Sequence, residues 1–329
     1  MPLQLSARAS PPYLVPTDPA PSLVLDDAES VARWGRSPVS PFLTESGNTI
    51  LHLSGGGVSG YRPVRRWAVF ATDAASPPGL EHEGLSSLLE QVARARRLAV
   101  FAAVADPEPY LARGMWAIRI ADDARIDPRS FSLAGKRMAS IRHSITSARK
   151  AGLAVVHWST DVASGVEKAS AEWLATKRGG ELGFTLGQFD PADIAAVDCR
   201  VAVDATGRVV GFATWRCYDD GRGRVLDLMR RADGSPNPTM DLLIGESLLD
   251  FASSGIEGVS LGAVPVSHGR LGERVYPTIS LRRYKEKFAP EWEPLWLIAP
   301  SRRHVAGALM GVAGAYCPGG LARAIRHNA

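Results

Sequence analysis

Short apolar blocks recur along the chain, separated by stretches in which apolar residues return at helical spacing. TILHL (49–53) and WAVFA (67–71) predict strands, and the Gly-rich SGGGVSGYRP between them reads as a turn or loop. Residues 84–98, GLSSLLEQVARARRL, have helical periodicity. LAVFAAV (98–104) is almost wholly apolar and predicts a central strand. A short helix (107–112) and a strand, WAIRIA (116–121), complete the first half.

The second half repeats this order. LAVVHWS (153–159) predicts a strand, and residues 163–178 a helix containing Trp173. CRVAVDATGRVVGFATWRC (199–217) predicts a hairpin turning at Asp204 to Gly207. RVLDLM (224–229), a helix over 239–254 and the strand VSLGAVP (259–265) follow. The repetition predicts an α/β protein of two similar mixed sheets in tandem, flanked by helices and built on a largely antiparallel meander.

Between the halves lies GKRMASIRHSITSARKAG (135–152). Met138, Ile141, Ile145 and Ala148 form a helical stripe that predicts burial, with Lys136, Arg137, Arg142, Arg149 and Lys150 around it. No Asp or Glu interrupts these 18 residues. A solvated face and a phosphate-backbone contact both fit such a helix, and the absence of acids favours the second.

Length and charge narrow the class. A chain of 329 residues suggests two domains or one large one, and a 45% hydrophobic content excludes disorder throughout. The formal charge of +4 does not by itself imply nucleic acid. Cys199, Cys217 and Cys317 lie far apart, without metal-ligand spacing or a disulfide framework, which fits a reducing, cytoplasmic setting. Residues 1–24 read as a Pro-rich arm without the apolar run of a secretory signal. The longest apolar stretch, Val305 to Tyr316, is too short to span a bilayer, so no transmembrane segment is expected. With Arg302, Arg303, Arg323 and Arg326 around it, segment 302–329 suits either a helix lying on a membrane surface or an ordinary packed C-terminal helix.

DLMRR (227–231) offers a carboxylate and a cation three residues apart, Asp227 and Arg230. On a regular strand they would point to opposite faces, so a shared cleft requires a bulge or a strand end near Met229. Asp241 begins the helix after the loop, as a cap or first-turn acid. Arg282, Arg283, Lys285 and Lys287, interleaved with Tyr284 and Phe288, read as a phosphate grip or as a strand edge guarded by lysines. His52, His143, His157 and His268 lack metal spacing, although His268 follows the 259–265 strand closely enough to enter a cleft. GGGVSG (55–60) lacks the Gly-Lys-Ser/Thr of a phosphate loop.

From residue 131 to 299 the chain resembles the C-terminal catalytic domain of the lysyl- and alanyl-phosphatidylglycerol synthases. The match is carried in order by GKRMASIRHSITSARKAGL, ELGFTLGQFD, GRVVGFATW, DLMRR, MDLLI, VSLGAVP and YKEKFAPEWEPLWL. The resemblance implies a tandem acetyltransferase-like (GNAT-type) fold that moves an aminoacyl group from charged tRNA to a hydroxyl. No cofactor or metal is needed, because the donor ester is already activated. It implies catalytic roles for Asp227 and Arg230; Asp241, in the first turn of its helix, and His268, entering the cleft after the 259–265 strand, are the expected substrate-binding residues. It implies tRNA binding by Lys136, Arg137, Arg142, Arg149, Lys150, Arg282, Arg283, Lys285 and Lys287. The expected organisation is an arm (1–24), an N-terminal acetyltransferase-like domain (25–134), a basic linking helix (135–152), a catalytic domain (153–300) and a helical tail (301–329).

Two departures bear on the acceptor. LGAVPV stands where the family has an LGMAPL-like stretch, and Ala71-Thr72-Asp73 where its first half has a Gly-Asp-Pro-like element. With no multi-helix membrane segment in view, the expected acceptor is a soluble small molecule, such as the hydroxylamine that receives serine in the valanimycin-type branch of natural-product biosynthesis. Phosphatidylglycerol, reached through peripheral membrane contact, is the alternative. An acyl-CoA N-acyltransferase is disfavoured because the loop RRADGSPNPT has one Gly and two Pro where pyrophosphate would need N–H donors. A non-catalytic RNA-binding module would need the basic residues but not Asp227.

Overall fold

The computed structural model describes residues 25–176, 183–266 and 278–316. The first half contains α1 (Asp27–Trp34), β1 (Thr49–His52), β2 (Val58–Val64), β3 (Trp67–Phe70), α2 (Glu81–Arg94), β4 (Leu98–Val104), α3 (Glu108–Leu111) and β5 (Trp116–Ile126). After the linking helix α4 (Ala139–Lys150) come β6 (Ala154–His157), α5 (Thr160–Ala175), α6 (Pro191–Ile194), β7 (Asp198–Val203), β8 (Val209–Tyr218) and β9 (Gly223–Arg231). The chain continues through α7 (Thr239–Ser253), β10 (Gly258–Pro265), α8 (Thr278–Glu286), β11 (Glu291–Ala299) and α9 (Val305–Tyr316).

The strands form one sheet in the order β1-β2-β3-β4-β11-β5-β10-β9-β8-β7-β6. Among the described residues only β3–β4 and β9–β10 pair in parallel, each pair joined through a crossover helix, α2 or α7. The expected mixed α/β fold with flanking helices is therefore present, but the two sheets expected in tandem are one. The join is β11, whose apolar LWLIA end enters between β4 and β5. This strand was not among the expected elements, because its partners lie far upstream in the sequence.

Helices cover both faces. On one face of the second half, α4 and α7 pack Ile141, Ile145, Leu242 and Phe251 around Trp215 and Phe288. On the other, Val166 and Ala169 of α5 meet Val209, Phe212 and Leu228. The predicted stripe of α4 is buried as expected, although the helix begins at Ala139 rather than at residue 135. Two further expectations need correction. Val58–Val64 is a strand and not part of a loop: Gly60 passes so close to the Leu43 carbonyl that an added Cβ would lie 2.0 Å from it. The basic stretch at 282–286 is helical rather than a strand edge. Among the described residues no helix is long and apolar enough to cross a membrane.

Candidate active site

The pairing of β8 with β9 slips at the predicted acid. Ala213 faces Met229 and Trp215 faces Leu226, so Thr214 alone is opposite both Asp227 and Leu228. The Leu228 N–H donates to Thr214 Oγ1 at 2.9 Å. One extra residue in β9 turns Asp227 and Arg230 to the same face, the face covered by α5. The strand irregularity needed near Met229 is thus present, centred on Asp227 and Leu228.

Asp227 is deeply enclosed. Its Oδ1 accepts from the Gly187 N–H at 2.9 Å, and its Oδ2 from Arg216 Nε at 2.8 Å. Gly187 is required at this contact, since a Cβ there would sit 2.2 Å from Asp227 Oδ1. Arg216 also pairs with Glu45 at 2.9 Å and lies over the Phe42 ring at 5.2 Å. The first half thus supplies two groups to the surroundings of the acid. Burial opposes the Arg216 charge, but Asp227 and Glu45 outweigh it and raise its pKa. Burial raises the Glu45 pKa, with Arg216 acting against it.

Arg230 is buried, and its Nη1 donates to Ser170 Oγ of α5 at 2.5 Å. Its guanidinium lies 4.7 Å from the Trp173 ring centre and 5.5 Å from that of Phe189. Burial lowers its pKa to about 10. Trp173, in the helix predicted over 163–178, forms one wall of this site. Asp227 and Arg230 both lie against the segment containing Gly187 and Phe189, so the structure brings the pair into one neighbourhood.

Asp241 is elsewhere. It occupies the first turn of α7, on the opposite face of the sheet, where Lys287 Nζ donates to its Oδ2. Lys287 also lies over the Tyr284 ring at 5.1 Å. Burial and the Asp241 carboxylate push the Tyr284 hydroxyl far up. His268 lies outside the described residues.

The basic residues separate into three kinds. Lys136, Arg137, Lys150 and Arg283 are exposed. Arg142 donates to the Leu133 and Gly135 carbonyls, and Arg149 pairs with Glu246 of α7 at 2.9 Å. Arg282 is tied to Asp122 at 3.1 Å and lies 4.0 Å from the Trp292 ring centre. Lys285 is buried, donating to the Gly262 carbonyl at 2.7 Å and the Ala263 carbonyl at 3.2 Å. Burial lowers its pKa to about 8, against the pull of Asp123. Lys285 therefore faces the join between β5 and β10 rather than solvent. Gly262 adopts φ +85° where the β10 register shifts, a conformation suited to glycine. Asp123 accepts from Ser260 Oγ at 2.6 Å beside it, and burial raises the Asp123 pKa.

Sequence reasoning did not find Arg216, Glu45, Gly187 or Ser170 as companions of the site. A signal existed for Arg216, the lone charge in the apolar strand VVGFATWRCY. None existed for Glu45, which reaches the site from the other half. A cavity of about 800 Å³, lined in part by Arg137, Phe131 and Glu257, and a smaller one of about 180 Å³ beside α5 both lie away from Asp227, Arg230 and Asp241.

The bulge that carries Asp227 and Arg230 follows the point where β9 and β10 part after their short parallel pairing, so these polar groups stand at the strand divergence. The family described as "Phosphatidylglycerol lysyltransferase, C-terminal" matches residues 28–299, and the chain belongs to it. The lysylphosphatidylglycerol biosynthesis bifunctional protein LysX of Mycobacterium tuberculosis (strain ATCC 25618 / H37Rv) is 31% identical over 216 residues, covering 57% of this chain and 18% of LysX. The chain therefore matches under a fifth of the length of that relative. The C-terminal domain of a putative lysylphosphatidylglycerol synthetase from Agrobacterium fabrum superposes with a TM-score of 0.81 at 23% identity, over 90% of this chain and 98% of that one. L-PGS from Bacillus licheniformis gives 0.76 at 21% identity, over 85% and 92%. These two likenesses bear on the fold.

Proposed function

We propose that the chain is an aminoacyl-tRNA-dependent aminoacyltransferase whose chemistry centres on Asp227 and Arg230. The observation carrying this reading is the β9 bulge, which places a carboxylate and a partly desolvated guanidinium on one face. The acceptor oxygen attacks the ester carbonyl carbon, the bond to the tRNA ribose oxygen breaks, and the acceptor proton ends on the freed ribose hydroxyl. No further reactant is consumed. Arg230 stabilises the negative charge that develops on the carbonyl oxygen, in surroundings where burial strengthens the interaction. Asp227, held by Gly187 and Arg216, keeps lone pairs with which to accept from the attacking hydroxyl.

The exposed Lys136, Arg137 and Lys150 on and beside α4, together with Arg283, are the cations that meet tRNA phosphates. Arg142, Arg149 and Arg282 brace their surroundings, and Lys285 supports the β5–β10 join. Asp241 meets the substrate amino group only by exchanging Lys287 for it. An acyl-CoA reading fits less well. The α7 N-terminus begins after Pro238 with Thr239 and Asp241 buried, and the Asp241 carboxylate stands where pyrophosphate would need bare N–H groups.

Family membership and LysX favour a phosphatidylglycerol hydroxyl as the acceptor. A soluble hydroxyl or hydroxylamine acceptor, with serine as cargo, is the second reading. It draws on Ala263, which stands beside Lys285 where the LGMAPL-like stretch carries Met. Labelled aminoacyl-tRNAs offered to the protein with phosphatidylglycerol vesicles or with a small-molecule extract distinguish the two. Label entering lipid supports the first and label entering the extract the second. No transfer from any charged tRNA to either pool overturns the proposal.

A further inference from the structure

In the first half of the chain, one edge of the sheet's strand ends is built from turns rich in arginine. The β2–β3 turn carries Arg65 and Arg66, and the α2–β4 turn carries Arg96 and Arg97. The two turns are bonded together: Leu98 N–H donates to the Arg66 carbonyl at 2.9 Å and Arg97 Nη1 to the Arg65 carbonyl at 2.8 Å. Pairing of Ala299 with Trp116 brings the end of β11 and the start of β5 to the same rim. Arg302 and Arg303 follow there, with the Arg302 guanidinium 5.7 Å from the Trp116 ring centre and His304 6.1 Å from Trp67. None of these six arginines is paired with a carboxylate among the described residues. The sequence contains no Asp or Glu after Glu293.

Two further observations show that the charge is placed rather than incidental. Arg65 and Arg96 have φ of 52° and 55°, the left-handed region in which glycine or asparagine is the economical choice. The same rim also exposes large apolar groups. Helix α9 packs Gly307 and Gly311 against the Trp67 ring, which leaves Leu309 (42% exposed) and Met310 (60%) facing outward, and Trp116 (41%) is exposed at the start of β5.

We propose that this rim is a docking surface for an anionic lipid bilayer. Guanidiniums at phosphate level, with tryptophan, leucine and methionine reaching below them, match the layered chemistry of a membrane interface. Nucleic acid is the competing anion. It would use the arginines but gives no account of the aliphatic side chains of α9, and α4 already provides a separate acid-free helix. β9 and β10 run toward this same end of the sheet, so docking there brings lipid toward the divergence beside Asp227. That purpose rests on the lipid-acceptor reading, whereas binding itself is measured without it.

The test is sedimentation of the full chain with phosphatidylcholine vesicles, with and without phosphatidylglycerol. The expected result is binding to the anionic vesicles alone, weakening as salt is added. Arg65→Gly/Arg96→Gly removes two charges and relieves both strained turns. This variant should keep or raise its melting temperature while losing affinity roughly fivefold per charge, about 25-fold in all. It should bind tRNA like the parent in a filter assay, and both should transfer label equally to a soluble glycerophosphoglycerol headgroup. Equal binding to neutral vesicles, no vesicle binding, or vesicle binding unchanged in the variant overturns the proposal. Loss of tRNA affinity in the variant with vesicle binding intact assigns the rim to nucleic acid instead. An inactive parent counts against the transferase reading and leaves the vesicle result standing.

Discussion

Arg216 donates from Nε to Asp227 Oδ2 at 2.8 Å while its Nη2 meets Glu45 at 2.9 Å, so the acid of the second half is held through a carboxylate of the first. Asp227 and Arg216 are 3% and 18% exposed at their side chains. A pair this enclosed is costly to break from one side. Arg216→Met should destabilise the fold by about 3–5 kcal/mol in urea denaturation. Arg216→Met/Asp227→Asn should recover part of that loss, because the unmatched carboxylate is gone. A double variant no more stable than Arg216→Met would show that the pair is not coupled.

Gly187→Ala tests the contact from the other side. The new methyl meets the Asp227 carboxylate and must shift either the acid or the 183–190 segment. Displacement on the ångström scale costs about 10²-fold in rate. The rate constant should therefore fall far more than the melting temperature, and equal effects on both would argue for a merely structural glycine.

Asp73 gives a pH signature. Burial raises its pKa from 3.8 to about 6, against the hydrogen bond it accepts from the Tyr110 hydroxyl at 2.6 Å. A carboxyl with a raised folded-state pKa stabilises fully below its unfolded value, and that contribution fades as pH rises through the folded value. Between pH of about 4 and somewhat above 6 the protein should lose on the order of 1–3 kcal/mol from this group. Asp73→Asn should flatten that part of the profile in denaturation series at both ends of the window.

The basic residues should divide as their burial does. Alanine at Lys136, Arg137 or Lys150 should weaken tRNA binding for every tRNA alike and reduce the slope of log K against log salt by about 0.7–0.9 for each phosphate no longer neutralised. Lys285→Ala should instead lower the melting temperature, since it strips the donor from the Gly262 and Ala263 carbonyls. A Lys285 variant of unchanged stability with weakened tRNA binding would return that residue to the phosphate-binding set.

What the sequence disclosed follows the range of the interactions. The stripe Met138, Ile141, Ile145 and Ala148 is a local pattern and was readable, as was the apolar β4. β2 was not, because Gly60 is dictated by the Leu43 carbonyl pressed against it. β11 was not, because its partners β4 and β5 lie far upstream. Helix α8 has too few apolar residues to show a period, and the burial of Lys285 depends on backbone carbonyls that no side-chain pattern reveals. At the site, the need for a β9 irregularity followed from the Asp227 and Arg230 spacing alone. The groups that enclose them come from Glu45, Ser170 and Gly187, joined to them only by folding.

Single-turnover transfer from a charged tRNA to phosphatidylglycerol vesicles and to a soluble acceptor, compared for the parent chain, Asp227→Asn and Arg230→Lys, tests the central claim most directly. The account predicts transfer by the parent and a loss of about 10²–10⁴-fold in rate for Asp227→Asn at unchanged tRNA affinity. It predicts a comparable loss for Arg230→Lys, because a lysine ammonium lacks the planar guanidinium that sits between Trp173 and Phe189. Parent-like transfer by folded Asp227→Asn would contradict it.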